Sequence, residues 1–450
     1  MSPTVPVPWQ RSEALLDSAV DRYTGRHVEQ LWWRWSGPLD MERFVAAWQS
    51  VMDRETILRA AFEWEAKPRL VLRADACPEV VRHRADTADW DELLEQDRLH
   101  GFDVSRPGPL RITLVDTGEP GVTRVLLTFH QGLLDTRSVL LLRNEFSRAY
   151  LAGGALPGGE RRPDIRDWMD WLEGQDTTTA RDFFRRTLPA RTPAVLPALP
   201  GPRTRQHGHG RAGARLTTAE VARLHRWAAL RGLPDSSVLH AAWALLLYRA
   251  ADTSGPVPVG FGITVSGRGI ALDGVERLVG PVRGCLPMTA VVDPARPIGG
   301  LLADLRDRAL DMAAYEWVST RQIQEWAGRS ARLLESLVCV EPAPRALPGL
   351  QARLDDAGIR YGRRHTGAAY SLLPVTLSVR EDTDGSRGLT VLHDRTRISD
   401  TDAALLADQC ARLLRRLPVL DATEPVAELL TTLAGTKPPR VAPPRRATRT

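Results

Sequence analysis

The sequence of 450 residues has little cysteine, with only four such residues in the whole chain. Cys77, Cys285, Cys339 and Cys410 lie far apart, and no two of them form a CxxC pair. They therefore form neither a disulfide framework nor a zinc signature. The expected compartment is a reducing cytoplasm of the bacterial type.

Long apolar runs and nucleotide-binding loops are also missing. No run of about 18 apolar residues, the length that crosses a bilayer, occurs anywhere. The first residues, MSPTVPVPWQR, lack the charged and apolar regions of a signal peptide. No GxGxxG, GxxxxGKS or GxxxxGKT loop follows a strand. Neither a membrane protein nor a nucleotide-binding enzyme is expected.

The net charge of +5 would suggest nucleic acid binding if it were spread over the chain. Residues 436–450 carry five cations and no acid, so residues 1–435 are formally neutral. Prolines in the same stretch disfavour helix and strand, and residues 436–450 are predicted to form a disordered basic tail. We favour a solvated end over a docking peptide for an acidic partner, and expect no nucleic acid partner.

The pattern of apolar residues predicts helices and strands in irregular order. Apolar residues at helical spacing, with Asp40 as N-cap, predict a helix over residues 40–53. Further helices are predicted over residues 138–150, from Thr217 onward, and over 236–248. Strands are predicted over residues 70–72, 110–115, 122–129 and 257–265.

A stretch rich in proline and glycine, residues 188–213, has no sustained periodicity and is predicted to be a linker. It separates two predicted lobes, residues 1–187 and 214–435. Because both lobes mix helices with strands without regular alternation, we predict an α+β fold with a ligand site in the cleft. The alternating tryptophans at 32–35 fit a half-buried strand, and His240 fits a satisfied core histidine.

The strand over residues 122–129 leads into the sequence HQGLLDT, residues 130–136, which we call the motif loop. His130 and Gln131 begin the loop, and Asp135 follows five residues after the histidine. By itself, such a cluster indicates either an acid and base pair at a strand end or a structural hydrogen-bonded turn. This segment alone leaves both interpretations open.

The motif loop resembles the HHxxxDG motif of nonribosomal peptide synthetase condensation domains, which are similar to chloramphenicol acetyltransferase. Other stretches resemble further motifs of this family in the correct order, at residues 54–62, 164–171, 259–268, 275–287, 315–326 and 374–397. The chain is therefore identified as a free-standing condensation domain with a degenerate motif.

The resemblance implies two acetyltransferase-like lobes that form a V-shaped pseudodimer with a central tunnel. It also implies a peptidyl or acyl carrier protein as partner, with an amine substrate or a second carrier protein on the other side. The carrier protein would supply the phosphopantetheine arm, and no intrinsic cofactor or metal is expected. A monomer is expected.

By the same resemblance, His130 matches the structural histidine of the motif, and Gln131 takes the place of the catalytic histidine. Asp135 matches the motif aspartate, which holds the loop in shape by pairing with an arginine. Arg268 is the expected partner in that salt bridge.

Two further positions depart from the family pattern and are expected to line the tunnel. Thr136 stands where the family has glycine, and Cys285 stands where it usually has threonine. A small buried hydrophobic role for Cys285 is favoured over that of a nucleophile, because no neighbouring signal lowers the pKa of its thiol.

A carboxamide has no pKa near neutrality, so Gln131 cannot act as a general base, although it can accept one hydrogen bond and donate two. Two functions remain open. The favoured one is an acyltransferase that forms an amide from a carrier-bound thioester and an amine positioned by Gln131. The other is a binding module of the same fold that docks a carrier protein or recruits a tailoring enzyme.

Overall fold

A computed structural model describes residues 4–6, 24–64, 68–73, 76–84, 89–158, 162–188, 194–328, 334–341, 347, 349–367, 373–382 and 384–444. The strands are β1 (Thr4–Pro6), β2 (Val28–Ser36), β3 (Ala60–Trp64), β4 (Pro68–Leu72), β5 (Glu79–His83), β6 (Leu110–Asp116), β7 (Val122–His130), β8 (Leu199–Pro200), β9 (His209–Leu216), β10 (Val257–Val265), β11 (Gly284–Val292), β12 (Ser336–Val340), β13 (Arg360–Tyr361), β14 (His365–Thr366), β15 (Val375–Glu381), β16 (Arg387–Asp394) and β17 (Arg440–Val441).

The α-helices are α1 (Met41–Arg54), α2 (Trp90–His100), α3 (Thr136–Leu151), α4 (Ile165–Glu173), α5 (Thr177–Thr187), α6 (Thr218–Ala229), α7 (Asp235–Ala250), α8 (Ile298–Ala313), α9 (Thr320–Trp326), α10 (Leu350–Asp356), α11 (Asp400–Arg416) and α12 (Val426–Leu430). Short 3₁₀ helices lie at Thr56–Arg59, Val275–Arg277, Leu417–Val419 and Thr431–Leu433. The predicted helices and strands are confirmed to within a few residues at their ends.

The chain divides into two compact units, each of which combines a mixed sheet with helices. The first unit contains residues 1–175, 270–283 and 344–370, and the second contains the rest of the chain. The predicted α+β class with two lobes is confirmed. The division along the chain falls just before α5, whereas the sequence indicated residues 188–213, and two later segments return to the first unit. The V shape and the tunnel stay predictions.

The main sheet of the first unit has the order β13-β2-β7-β6-β5, and β14 also pairs with β2. Strands β2, β7 and β6 are antiparallel neighbours, and β5 runs parallel to β6. Every residue of β7 from Val125 to His130 is buried, as is expected of a strand in the middle of a sheet. The end of β7 is therefore held firmly, and it is there that the motif loop begins.

Helices α1 and α3 pack together in the first unit through an aromatic cluster. The Trp48 and Phe146 rings are stacked with centroids 4.7 Å apart, and Phe44 meets Phe146 edge-on at 4.8 Å. On β2, Trp33 and Trp35 are fully buried while Arg34 is exposed, so the predicted half-buried strand is confirmed. Aromatic pairs of this geometry add to the stabilisation that comes from burial alone.

The predicted start of α1 is confirmed, because the Asp40 side chain accepts a hydrogen bond from the Arg43 backbone at 3.0 Å. Helix α6 begins with a capping box in which Thr217 and Glu220 satisfy each other's backbone N–H groups. These caps explain why the helix starts could be read from the sequence.

The second unit has the sheet order β11-β10-β12-β15-β16-β9. Helices α7, α8 and α11 pack in its core, and α7 is buried on all sides from Ser237 to Tyr248. His240 lies in this core, as predicted, but its Nδ1 has no hydrogen-bond partner among the described residues, so it is not a satisfied histidine. Burial lowers the pKa of His240 to about 4.

The predicted disordered tail is wrong for residues 436–444, which the structure describes. Strand β17 pairs in parallel with β8, and Val441 and Ala442 are buried. The prolines do not prevent this, because Pro439 contributes only its carbonyl, which accepts from the Leu199 N–H at 2.8 Å. Residues 445–450 lie outside the described residues.

Part of the stretch predicted to be a linker contributes to the sheets of the second unit. Ala194 forms a bridge to Val259, and β9 begins at His209. Residues 189–193 lie outside the described residues. Over the described ranges, no helix is long and apolar enough to cross a membrane. Nor do histidine, cysteine, aspartate and glutamate side chains gather there in threes as a metal site would require.

Candidate functional site

The motif loop is held by backbone hydrogen bonds at the end of β7. The His130 N–H donates to the Pro109 carbonyl at 3.0 Å, and the His130 carbonyl accepts from the Leu133 and Leu134 N–H groups. The Gln131 N–H donates to the His27 carbonyl at 2.8 Å. The loop thus makes a tight turn between β7 and α3, and the residue that precedes β2 provides one of its walls.

His130 is a buried, neutral histidine within this turn. It is 1% exposed, and its Nδ1 accepts a hydrogen bond from the Gly132 N–H at 3.2 Å. Burial, and to a smaller extent the nearby His27, lower the pKa of His130 to about 3. A neutral ring with an accepting Nδ1 carries its proton on Nε2, so both the protonation state and the tautomer of His130 are fixed.

Asp135 caps helix α3 and is itself 6% exposed. Its Oδ1 accepts from the Ser138 N–H at 2.7 Å and lies 2.8 Å from the Ser138 hydroxyl. A carboxylate at this position also interacts favourably with the positive end of the helix dipole. The aspartate of the motif loop is therefore a helix cap whose ionised form is supported by backbone N–H groups.

Residues 280–283, which we call the clamp segment, bind the motif loop within the first unit. The Arg283 N–H donates to Asp135 Oδ2 at 3.1 Å. The Ser138 hydroxyl lies 2.8 Å from the Gly280 carbonyl and accepts from the Gly280 N–H at 2.9 Å. A segment distant in sequence is thereby fixed to the first turn of α3 by buried hydrogen bonds.

Thr136, the first residue of α3, has a side chain with a defined partner. Its hydroxyl donates to Glu29 Oε2 on β2 at 3.1 Å, and the residue is 6% exposed. This hydrogen bond gives the threonine a structural role that a glycine could not have. Its predicted place in the tunnel wall stays a prediction.

Gln131 is half-buried, and its side chain contacts His27, which directly precedes β2. The Gln131 Nε2 and the His27 Nδ1 are 2.8 Å apart. The His27 and His130 rings have centroids 6.1 Å apart. The first unit therefore gathers two imidazoles and one carboxamide around the position where the family motif has a histidine.

Arg268 and Cys285, the other predicted site residues, belong to the second unit. The Arg268 backbone and guanidinium bind Ser266, at 3.1 and 3.3 Å. The predicted salt bridge of Arg268 with Asp135 stays a prediction. Cys285 is half-buried on β11, which differs from the buried hydrophobic role expected, and its Sγ occupies space that a Cβ on Gly262 would enter at 2.8 Å.

Comparison with known families decides the assignment of the chain. The family model described as the condensation domain matches residues 16–344, which is most of the chain. The chain belongs to the condensation domain family.

Relatives of this condensation domain are parts of very large synthetases. It is 31% identical over 335 residues to a linear gramicidin synthase protein of Brevibacillus parabrevis, a match that covers 69% of this chain and 4% of that protein. It is 30% identical over 361 residues to chondramide synthase cmdD of Chondromyces crocatus, covering 74% of this chain and 9% of that protein. The chain thus spans under a tenth of the length of these relatives.

Solved structures show the same fold. The first condensation domain of the calcium-dependent antibiotic synthetase, in complex with a substrate analogue, superposes with a TM-score of 0.77 at 17% identity, covering 95% of this chain and 99% of that one. The X-domain from teicoplanin biosynthesis gives a TM-score of 0.77 at 20% identity, covering 95% and 98%. At these identities the likeness establishes the fold alone.

Several residues of this condensation domain's site were not found by sequence reasoning. Ser138 had a usable signal, because a serine three residues after an aspartate at a helix start fits a reciprocal cap. Arg283 and Gly280 contribute backbone groups, which leave no trace in side-chain type. His27 lies 104 residues before Gln131 and follows no recognisable motif. Only the antiparallel register, which places Val28 opposite His130, brings it to the loop.

Proposed function

We propose that this condensation domain joins an acyl or aminoacyl thioester, carried on the phosphopantetheine arm of a carrier protein, to an amine. The amine nitrogen attacks the thioester carbonyl carbon, the carbon–sulfur bond breaks, and an amide forms. The proton that the nitrogen loses ends on the released thiol of the carrier protein. No oxidant, metal or further cofactor enters the balance.

The observation that carries this proposal is the ordered environment of Gln131. Its carboxamide is half-buried, at the end of a central strand, in a loop clamped by Asp135 and Ser138. A neutral amine needs orientation more than deprotonation when it attacks a thioester, and orientation supplies on the order of 7–11 kcal/mol of a barrier. A fixed hydrogen-bond acceptor supports such a reaction without a general base.

Intact-mass spectrometry of an acyl-loaded carrier protein, incubated with the full chain and candidate amines, tests this proposal. We expect amide product and discharged carrier with the wild type, and a loss of at least about tenfold in Gln131→Ala. Gln351→Ala is the matched control, because Gln351 is exposed on α10 and its side chain bonds to Asp355 on the same helix. Wild-type product formation that is unchanged in Gln131→Ala would exclude a role for the carboxamide.

A binding module without bond formation is the second candidate. It is favoured by glutamine in place of the motif histidine, and by the similar fold of the teicoplanin X-domain, which has been solved in complex with OxyB. Carrier or tailoring-enzyme binding without transfer by the wild type, together with transfer gained in Gln131→His, would establish this function in place of the first.

A further inference from the structure

We infer that His27 is a positioning residue that holds the Gln131 carboxamide in one orientation, with its oxygen Oε1 presented to the amine. The inference rests on the proposed amide-forming function. Both residues belong to the first unit, and they are joined twice. The Gln131 N–H donates to the His27 carbonyl, and Gln131 Nε2 lies 2.8 Å from His27 Nδ1.

The chemistry of the two groups fixes the direction of the side-chain hydrogen bond. The Gln131 Nε2 can only donate, so His27 Nδ1 accepts and the neutral ring carries its proton on Nε2. With its nitrogen engaged, the carboxamide has its oxygen left as the acceptor for a substrate N–H. Among the described residues, no donor takes up this oxygen. A carboxamide turned by 180° would exchange the two ends and offer a donor in place of an acceptor.

The backbone of His27 indicates that the imidazole is needed there. Its φ is 60°, in the left-handed region, and the residue is 2% exposed. A residue with a Cβ is strained in this conformation, and glycine would adopt it freely. Strained and buried residues of this kind concentrate at functional sites, where the surrounding structure holds them.

The neutral state of His130 is consistent with this arrangement. Its ring lies 6.1 Å from that of His27, and an imidazolium there would repel any positive charge on the substrate amine or on His27. Burial keeps the pKa of His130 far below neutrality, so the accepting Nδ1 of His27 faces an uncharged neighbour. The direction of the Gln131 hydrogen bond is then set by His27 alone.

Two variants of His27 separate the hydrogen bond from the backbone conformation. His27→Asn keeps an acceptor near the position of Nδ1 and tolerates a left-handed φ, whereas His27→Gly tolerates the φ but has no acceptor. In the carrier assay we expect His27→Asn to keep most of kcat. We expect His27→Gly to lose about 10–100-fold in kcat with little change in KM, because a misoriented group costs on the order of 10²-fold.

A double-mutant cycle with Gln131→Ala tests whether His27 acts through the carboxamide. In the Gln131→Ala background, His27→Gly should reduce kcat no further, since there is no side chain left to orient. The inference is overturned if Asn and Gly at position 27 have equal kcat. It is also overturned if the losses from His27→Gly and Gln131→Ala multiply.

Nitrogen NMR of the full chain labelled with ¹⁵N-histidine separates this inference from the proposed function. The signals of His27 are those missing from the His27→Asn spectrum, and its Nδ1 should appear as an unprotonated acceptor that shifts in Gln131→Ala. A protonated Nδ1 would mean the reversed carboxamide and would overturn the inference even if transfer occurs. If the wild type transfers to no amine, the proposed function fails, and the NMR result alone decides the hydrogen bond.

Discussion

Asp135 allows one conservative change to separate two hydrogen bonds of the motif loop. Its Oδ1 accepts from the Ser138 N–H at 2.7 Å, and its Oδ2 accepts from the Arg283 N–H at 3.1 Å. Asp135→Asn keeps an oxygen for the cap, because asparagine caps helices about as well as aspartate. It also places an NH₂ group against the Arg283 N–H, so the bond to the clamp segment is lost.

The magnitude follows from the burial of this contact. Asp135 is 6% exposed, so water replaces the missing acceptor poorly, and Asp135→Asn should lower the free energy of unfolding by about 1–3 kcal/mol. Asp135→Ala removes the cap as well, which adds about 1 kcal/mol. Asp89 is the control, because it caps α2 at the surface and accepts from the Asp91 and Glu92 N–H groups of that same helix. We expect Asp89→Asn to be nearly neutral and Asp89→Ala to cost about 1 kcal/mol.

Urea unfolding measures the free energies, and hydrogen exchange with mass spectrometry locates the effect. In Asp135→Asn, peptides that contain the clamp segment should exchange faster, while those at the start of α3 should stay protected. In Asp135→Ala, both should lose protection. If Asp135→Asn changes neither the stability nor the exchange of residues 280–283, the bond from Arg283 contributes nothing and the clamp is misassigned.

Three further predictions concern the site and its surroundings. Gln131→His should create transfer to alcohol acceptors, because a hydroxyl needs a general base worth about 10²–10⁴ in rate; the carrier discharge assay would contradict this if alcohols stay unreactive. Burial raises the pKa of Glu55 to about 7 because the nearest nitrogen of Arg162 is 3.9 Å away and that guanidinium lies closer, at 2.6 Å, to Glu145. The folded state therefore binds more protons than the unfolded state between about pH 4.5 and 7, so stability falls as pH rises through that window, by up to about 3 kcal/mol. Urea unfolding of Glu55→Gln from pH 4 to 9 should lack this decline, and an unchanged slope would refute the assignment. Gly262→Ala should cost about 1–3 kcal/mol, since its Cβ would lie 2.8 Å from Cys285 Sγ, and Cys285→Ala should restore part of the loss; no recovery would mean that Leu337, at 2.9 Å, dominates.

The sequence carried the local structure well where a single segment determines it. The cap at Asp40 and the box formed by Thr217 and Glu220 depend on residues within one turn of each other, and both helix starts were predicted. The tail was mispredicted because its order depends on β8, far away in the sequence. Proline and charge report what a segment can do alone, and they do not show that another strand offers it donors.

The candidate site shows the same limit. Its position was predicted from the motif loop, but its contacts come from His27 and the clamp segment, which sequence spacing does not connect to the loop. Backbone donors such as the Arg283 N–H are present in every residue type except proline, so no motif records them. The left-handed φ of His27 is equally invisible, since most residues with that backbone are glycine or asparagine.

The contacts of Gln131 bear on the choice between enzyme and binding module. A module that docks a partner through its surface gains nothing from an oriented carboxamide in a half-buried loop. Here that orientation depends on a histidine at φ 60°, a conformation that costs on the order of 1–3 kcal/mol. The Asp135 and Ser138 hydrogen bonds stabilise the same loop from the other side. Because a strained residue lowers stability without helping surface docking, the arrangement around Gln131 favours a reaction at this position over docking alone.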